Sequence, residues 1–266
     1  MPPETGHCAW CRVHLERMTK PGDWDAALEG IDAVVNCVGI LRPRPRESYD
    51  QVHHRAPAAL AAACGRLGAK RLIHVSALGL HDDARSGFIR SKLAGERALS
   101  GAAHVVIVRP SLLDGEGGFG ARWIRRVASW PVHFVPDEAR GRIAVIDVHD
   151  AAAAIAILCE PQRTPDWRVV ELGGGDAWSM GEYLAATRAA MGLPPAKQVR
   201  VPAWCARLTS RLCDLLHWTP FSFGHLELLR SDNLPNPNRA PVLLGRAPAR
   251  IAEDTAPRGA APQSAA

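Results

Sequence analysis

The sequence predicts an α/β chain built on a doubly wound parallel sheet, with a smaller and mostly helical C-terminal part. Two observations lead there. Short uninterrupted apolar runs such as "IDAVVNCVG" and "HVVIVRP" have the composition of strands buried on both faces, as in parallel sheets. Between them lie longer segments with apolar residues at helical spacing, joined by short connections, so that strand and helix alternate.

Taken in chain order, "CRVHLERM" reads as a strand. Residues 22–30 read as a short helix that Gly30 closes, because a left-handed residue is needed after the last turn. The run at 31–39 is a buried strand, and 47–68 is a helix stopped by Gly68. "KRLIHVSA" is the next strand, "FIRSKLAGERALSGA" a helix, and "HVVIVRP" a strand ended by Pro110. "RIAVIDVHDAAAAIAILCEP" gives a strand, an N-cap at Asp150 and a helix halted by Pro161. "WRVVELGGG" is a further strand, and Ser179 with Glu182 forms a capping box for a helix ending at Gly192. Residues 202–229 read as amphipathic helix with an aromatic bend, its apolar side packed within the protein. Residues 251–266, rich in Pro and Ala, read as a disordered tail.

At 266 residues and 47% hydrophobic content the chain can bury a substantial core. Its formal charge of +5 suits an anionic ligand such as a dinucleotide. The densest basic run, "LRPRPRES", is broken by prolines into an extended loop, so a solvated surface is preferred to a nucleic-acid site. His7, Cys8, Cys11 and His14 are a chance cluster on this reading, since a zinc site usually draws its second ligand pair from a distant element, and no metal is predicted. The other cysteines sit in apolar or helical contexts and suggest a reducing, cytoplasmic setting, with peripheral membrane association as the variant. No apolar run has the length of a membrane span, and the start lacks a signal-peptide plan.

The segments "DAALEGIDAVVNCVGI", "AAACGRLGAKRLIHVSALG", "FIRSKLAGERAL", "HVVIVRPSLLDGEGG", "VHDAAAAIAIL" and "VVELGGG", in this order and spacing, resemble the atypical short-chain dehydrogenase/reductases. Within these the chain is most similar to the NmrA-like and epimerase-like branch that includes the NAD(P)H-binding accessory subunit of respiratory complex I. The resemblance implies a Rossmann-like domain at 1–175, a helical substrate or partner part at 176–250, and NAD or NADP as cofactor. It implies that Asn36, Val38 and Gly39 lie under the adenosine and ribose. Ser76 would stand at the position of the catalytic serine or threonine, and Lys92 would hydrogen-bond the nicotinamide ribose. Arg109, Pro110 and Ser111 would border the nicotinamide end of the cleft.

Two departures modify that expectation. Phe88 stands where the family's Tyr-x-x-x-Lys pair has its tyrosine, and a phenyl ring can neither give nor take a proton. His81, Asp82 and Asp83 lie upstream on a loop that could supply a substitute acid. The family's opening strand, glycine-rich turn, helix and second strand have no counterpart here, so the sheet is expected to be N-terminally incomplete, with an edge on "DAVVNCV". The expected protein is therefore NAD(P)-binding, with oxidoreductase or epimerase ancestry. The alternative is a non-catalytic redox sensor or respiratory-complex assembly protein that works through a protein partner or homo-oligomer.

Overall fold

The computed structural model describes residues 11–69, 71–115, 118–163, 165–216 and 221–250. His7, Cys8 and the tail at 251–266 lie outside them. The chain runs through α1 (Asp25–Leu28), β1 (Ala33–Asn36), α2 (Ala56–Leu67), β2 (Arg71–Val75), α3 (Gly87–Leu99), β3 (Val105–Pro110), β4 (Leu113–Asp114) and α4 (Phe119–Ala128). It continues through β5 (Val132–Pro136), β6 (Arg142–Ile143), β7 (Ile146–Asp147), α5 (Val148–Leu158), β8 (Val169–Leu172) and β9 (Trp178–Ser179). The last elements are α6 (Met180–Ala190), β10 (Lys197–Val201), α7 (Ala203–Leu216), α8 (Phe223–Leu228) and α9 (Ala240–Leu244).

The main sheet has four parallel strands in the order β1-β2-β3-β8. Strand periodicity divides its side chains between two cores. Leu72, Val105 and Ile107 face Trp24, Leu28, Leu60, Cys64 and Leu99 on one side. Ile73, Val106, Val108 and Val170 face Ile146, Leu158 and Leu243 on the other. This two-sided burial is why β3 reads as an apolar run, whereas β2 carries Arg71 and His74, both buried, among its apolar residues.

Among the described residues β1 is an edge strand, as the sequence predicts, and Val35 on it is exposed. "CRVHLERM" is no strand, however. Residues Leu15–Arg17 make a 3-10 turn, with His14 beside Glu16 at 3.3 Å. A lone strand needs a neighbour for its backbone groups, and none reaches this segment among the described residues.

Several boundaries shift for identifiable reasons. The helix at 47–68 begins as a π-turn over Asp50–Arg55 and becomes α-helical at Ala56. The N-cap of α5 is Asp147, whose carboxylate accepts from the backbone N–H of His149 and Asp150. Asp150 itself is buried and paired with Arg246. "RIAVIDV" splits, β6 pairing antiparallel with β9 and β7 pairing parallel with β4. The stretch at 202–229 is two helices, α7 and α8.

α4 and β5 were not legible as elements. β5 pairs in parallel with β10, and α4 packs on α6, so residues 119–136 lie with the C-terminal helices. The chain then returns to the sheet. Asn238 exchanges hydrogen bonds with Gly173, and α9 packs on α5.

Candidate functional site

The carboxyl ends of β2 and β3 open onto a cavity of about 490 Å³. Ser76, one residue past β2, is fixed by its N–H donating to Val108 O at 2.7 Å. Its hydroxyl is buried and has no hydrogen-bond partner among the described residues, leaving an orphaned polar atom on the cavity wall. Pro110 and Ser111 continue the wall from β3, and Ser111 N–H is held by Leu172 O at 2.8 Å. Phe88 and Lys92, one turn apart on α3, complete this corner.

The start of α3 is tightly held. Ser86 caps it, accepting from Phe88 N–H, while the buried carboxylate of Glu227 on α8 accepts from Arg85 and Ser86 N–H, both at 2.8 Å. Gly224 permits this approach, because a Cβ there would meet Ser86 Oγ at 2.8 Å. The ring of Phe88 is thereby fixed among Tyr49, His53 and His225, with centroid separations of 6.5, 5.8 and 6.2 Å.

Lys92 Nζ stands 5.8 Å from the centroid of that ring. Burial pulls the lysine down from 10.5 to about 8, against an upward pull from Glu96. Two neutral histidines frame it. His53 Nε2 accepts the Ile40 N–H at 2.9 Å, so its proton lies on Nδ1, facing Ser91 Oγ at 2.8 Å. Burial, then Lys92 and His74, push His53 down to about 3; burial and Lys92 push His74 down to about 4. Neither ring competes with Lys92 for positive charge near neutrality.

The expected residues at the end of β1, Asn36, Val38 and Gly39, are outside the cavity wall, and Gly39 among them comes up to Lys92. The Asn36 amide nitrogen lies 3.1 Å from His74 Nδ1, and Asn36 Oδ1 accepts from Val38 N–H at 3.1 Å. Val38 is exposed. A Cβ on Gly39 would sit 3.7 Å from Lys92 Nζ, so the backbone here runs directly past the ammonium. Arg109 is placed differently. Its guanidinium is bound by the buried Glu96 and lies 3.6 Å from Glu171, outside the cavity wall. His81, Asp82 and Asp83 are outside it too, with Asp82 bound to Arg97 and His81 3.9 Å from Asp83.

The remainder of the wall is mostly apolar, including Leu112, Trp123, Ile124, Met180, Phe221 and Leu229. The polar groups that sequence reasoning missed are His225 and Asn233, while Asp114 lies on the same strand-end stretch as Ser111. Asp114 pairs with Arg125 at 3.1 Å. His225 Nδ1 lies 3.1 Å from Ser222 Oγ. Asn233 packs against Gly79, whose φ of 82° and close approach suit glycine, and its Oδ1 is buried without a hydrogen-bond partner among the described residues. No local signal marks His225 and Asn233, because distant segments bring them to the cavity. The phenol closest to Phe88 in the aromatic cluster, Tyr49, is committed elsewhere. Its hydroxyl donates to Leu41 O at 2.7 Å, and burial, reinforced by Asp214, lifts it to about 12.

A parallel sheet with its cleft at the strands' carboxyl ends is a Rossmann-like fold of the dinucleotide-binding type, related to that of NAD-dependent epimerase/dehydratases and short-chain dehydrogenase/reductase-like enzymes. Its N-terminal side is atypical, β1 being an edge among the described residues. No family profile matches the chain. It is 29% identical over 243 residues to the ceramide reductase of Caulobacter vibrioides, covering 86% of this chain and 75% of that protein. It is 27% identical over 163 residues to subunit 9 of the NADH dehydrogenase (ubiquinone) 1 alpha subcomplex, mitochondrial, of Dictyostelium discoideum. That match covers 60% of this chain and 44% of the subunit. Among solved structures, MoeE5 in complex with UDP-glucose and NAD superposes with a TM-score of 0.63 at 19% identity, over 92% of this chain and 82% of that one.

Proposed function

We propose that the chain binds NAD or NADP, and that it is an oxidoreductase- or epimerase-like protein whose usual phenolic proton donor is replaced by Phe88. The observation that carries this reading is the convergence of Lys92, the orphaned Ser76 hydroxyl and Phe88 on one cavity at the ends of β2 and β3. These residues suit the nicotinamide half of a dinucleotide. Ser76 and Lys92 would hold it, Pro110 and Ser111 would border it, and Gly39 would allow close approach of the ribose to the end of β1. When bound, the cofactor supplies or accepts a hydride. The diphosphate half has no glycine-rich strand-turn-helix among the described residues, so its support there is the weaker part of the fit.

The mostly apolar wall favours a substrate group attached to an apolar body, in keeping with the likeness to a ceramide reductase. Proton transfer is where the site departs from its relatives' type. Phe88 carries no proton, Tyr49 is tied to Leu41, Asp114 is paired with Arg125, and none of these stands in for the missing phenol beside Lys92. This favours the second reading, a non-catalytic redox sensor or assembly protein, over efficient turnover by the family's route.

Fluorescence titration with NADH and NADPH tests the binding. Affinity is expected to weaken about 10- to 100-fold in Lys92→Met, as for loss of a charge-assisted hydrogen bond. It should also fall as pH rises above about 8, where free Lys92 loses its proton. Absence of binding by either nucleotide would refute the reading. With binding established, carbonyl reduction that appears or rises in Phe88→Tyr supports enzyme ancestry with a lost acid. Binding with no turnover in either form supports the sensor.

A further inference from the structure

The outward face of α7 is apolar. Trp204, Leu208, Leu212 and Leu215 recur at helical spacing and are 70, 54, 45 and 75% exposed. The opposite face meets the protein through Ala206 and Ser210, both buried. The sequence predicts that the apolar side of this segment packs inward; the structure reverses this, seating small residues inside and large ones outside.

Charge along the helix is equally one-sided. Arg207 and Arg211 border the stripe and are exposed. The helix's single acid, Asp214, is turned inward, accepting from Arg42 Nε at 2.8 Å and from Phe223 N–H at 2.9 Å. Glu138 is shared by Arg207 and Arg230, so the local balance stays positive. Arg211 and Arg230 both lie over the Phe223 ring, at 5.2 and 5.6 Å from its centroid.

We infer that α7 docks this protein on an anionic phospholipid surface, lying in the plane of the headgroups with Trp204 and the leucines inserted. Three features favour lipid over a second protein. Large apolar side chains flanked by arginines on a helix without outward acids match an interfacial helix. A helix of this length presents a strip about 20 Å by 10 Å, far short of the ~800 Å² per partner that a stable protein interface requires. The stripe also stands one helix away from the apolar cavity, since α7 holds the start of α8, and His225 and Leu228 of α8 line that cavity. The docking is independent of whether a dinucleotide binds.

Co-sedimentation of the full chain with vesicles of equal parts phosphatidylcholine and phosphatidylglycerol tests it. The protein is expected to pellet with these vesicles and much less with phosphatidylcholine alone. The Trp204→Ser/Leu208→Ser/Leu212→Ser variant should bind at least about tenfold more weakly. A conservative Leu208→Met/Leu212→Met variant should retain binding, which separates lost insertion from lost folding. Failure of the wild type to pellet, or equal pelleting of the serine variant, would overturn the inference. So would light scattering that shows a dimer which the serine variant dissociates, because the stripe would then be an interface between copies.

Discussion

Lys92 concentrates the physical chemistry of the site at one atom. Its ammonium is desolvated, so the charged form is disfavoured in the folded chain relative to the unfolded one. Below about 8 it is protonated in both states, and folding bears the full cost. Between about 8 and 10.5 the folded state releases the proton while the unfolded state keeps it, so stability rises with pH across that window. Burial sets the effect and Glu96 on the same helix opposes it, while His53 and His74, facing from the π-turn and β2, stay neutral beside it. Lys92→Met should therefore be more stable than wild type at neutral pH, by up to about 3 kcal/mol, with the difference fading as pH approaches the lysine's ordinary range. Urea melts at neutral and alkaline pH read this directly. A variant less stable than wild type at neutral pH would mean that Lys92 has favourable partners that outweigh its burial. Such a residue, costly to stability yet placed on a cleft, is the usual mark of a functional group.

At the scale of elements, the site depends on how closely α3 lies against the π-turn at Asp50–Arg55. Gly95 makes that approach feasible. A Cβ there would stand 1.9 Å from the carbonyl oxygen of His53, a backbone atom that no side-chain rotation can move. Gly95→Ala should force the two segments apart and cost more than about 3 kcal/mol, or abolish folding. Gly101→Ala, where a Cβ meets open space, serves as the control and should stay within about 1 kcal/mol of wild type. Thermal denaturation distinguishes them; similar melting temperatures would show that α3 can shift without penalty. The same packing sets His53 Nδ1 against Ser91 of α3, so a loosened α3 would also free that ring nitrogen and reduce the burial that keeps His53 neutral beside Lys92.

For the molecule as a whole, the four-stranded sheet is graded in protection. β2 and β3 pair on both sides and lie between two cores, whereas β1 pairs only with β2 among the described residues. Amide exchange should be slowest at β2 and β3 and clearly faster at β1. Protection of β1 equal to that of β2 would mean that another strand covers its free edge.

Much of this architecture was legible in the residues. Apolar runs and glycine stops located the strands and helices of the main sheet, since burial on two faces leaves a compositional trace along most of β2 and β3. The spacing of Phe88 and Lys92 on one helix, and of Ser76 at a strand's end, likewise follows from local geometry. Tertiary structure alone decided the rest. It engaged Arg109 with Glu96 and Glu171 and brought His225 and Asn233 to the cavity. It also joined β5 to β10, more than sixty residues apart in sequence, and turned the apolar face of α7 outward. Helical periodicity settles which side chains share a face, whereas which face finds a partner depends on segments far away in the chain.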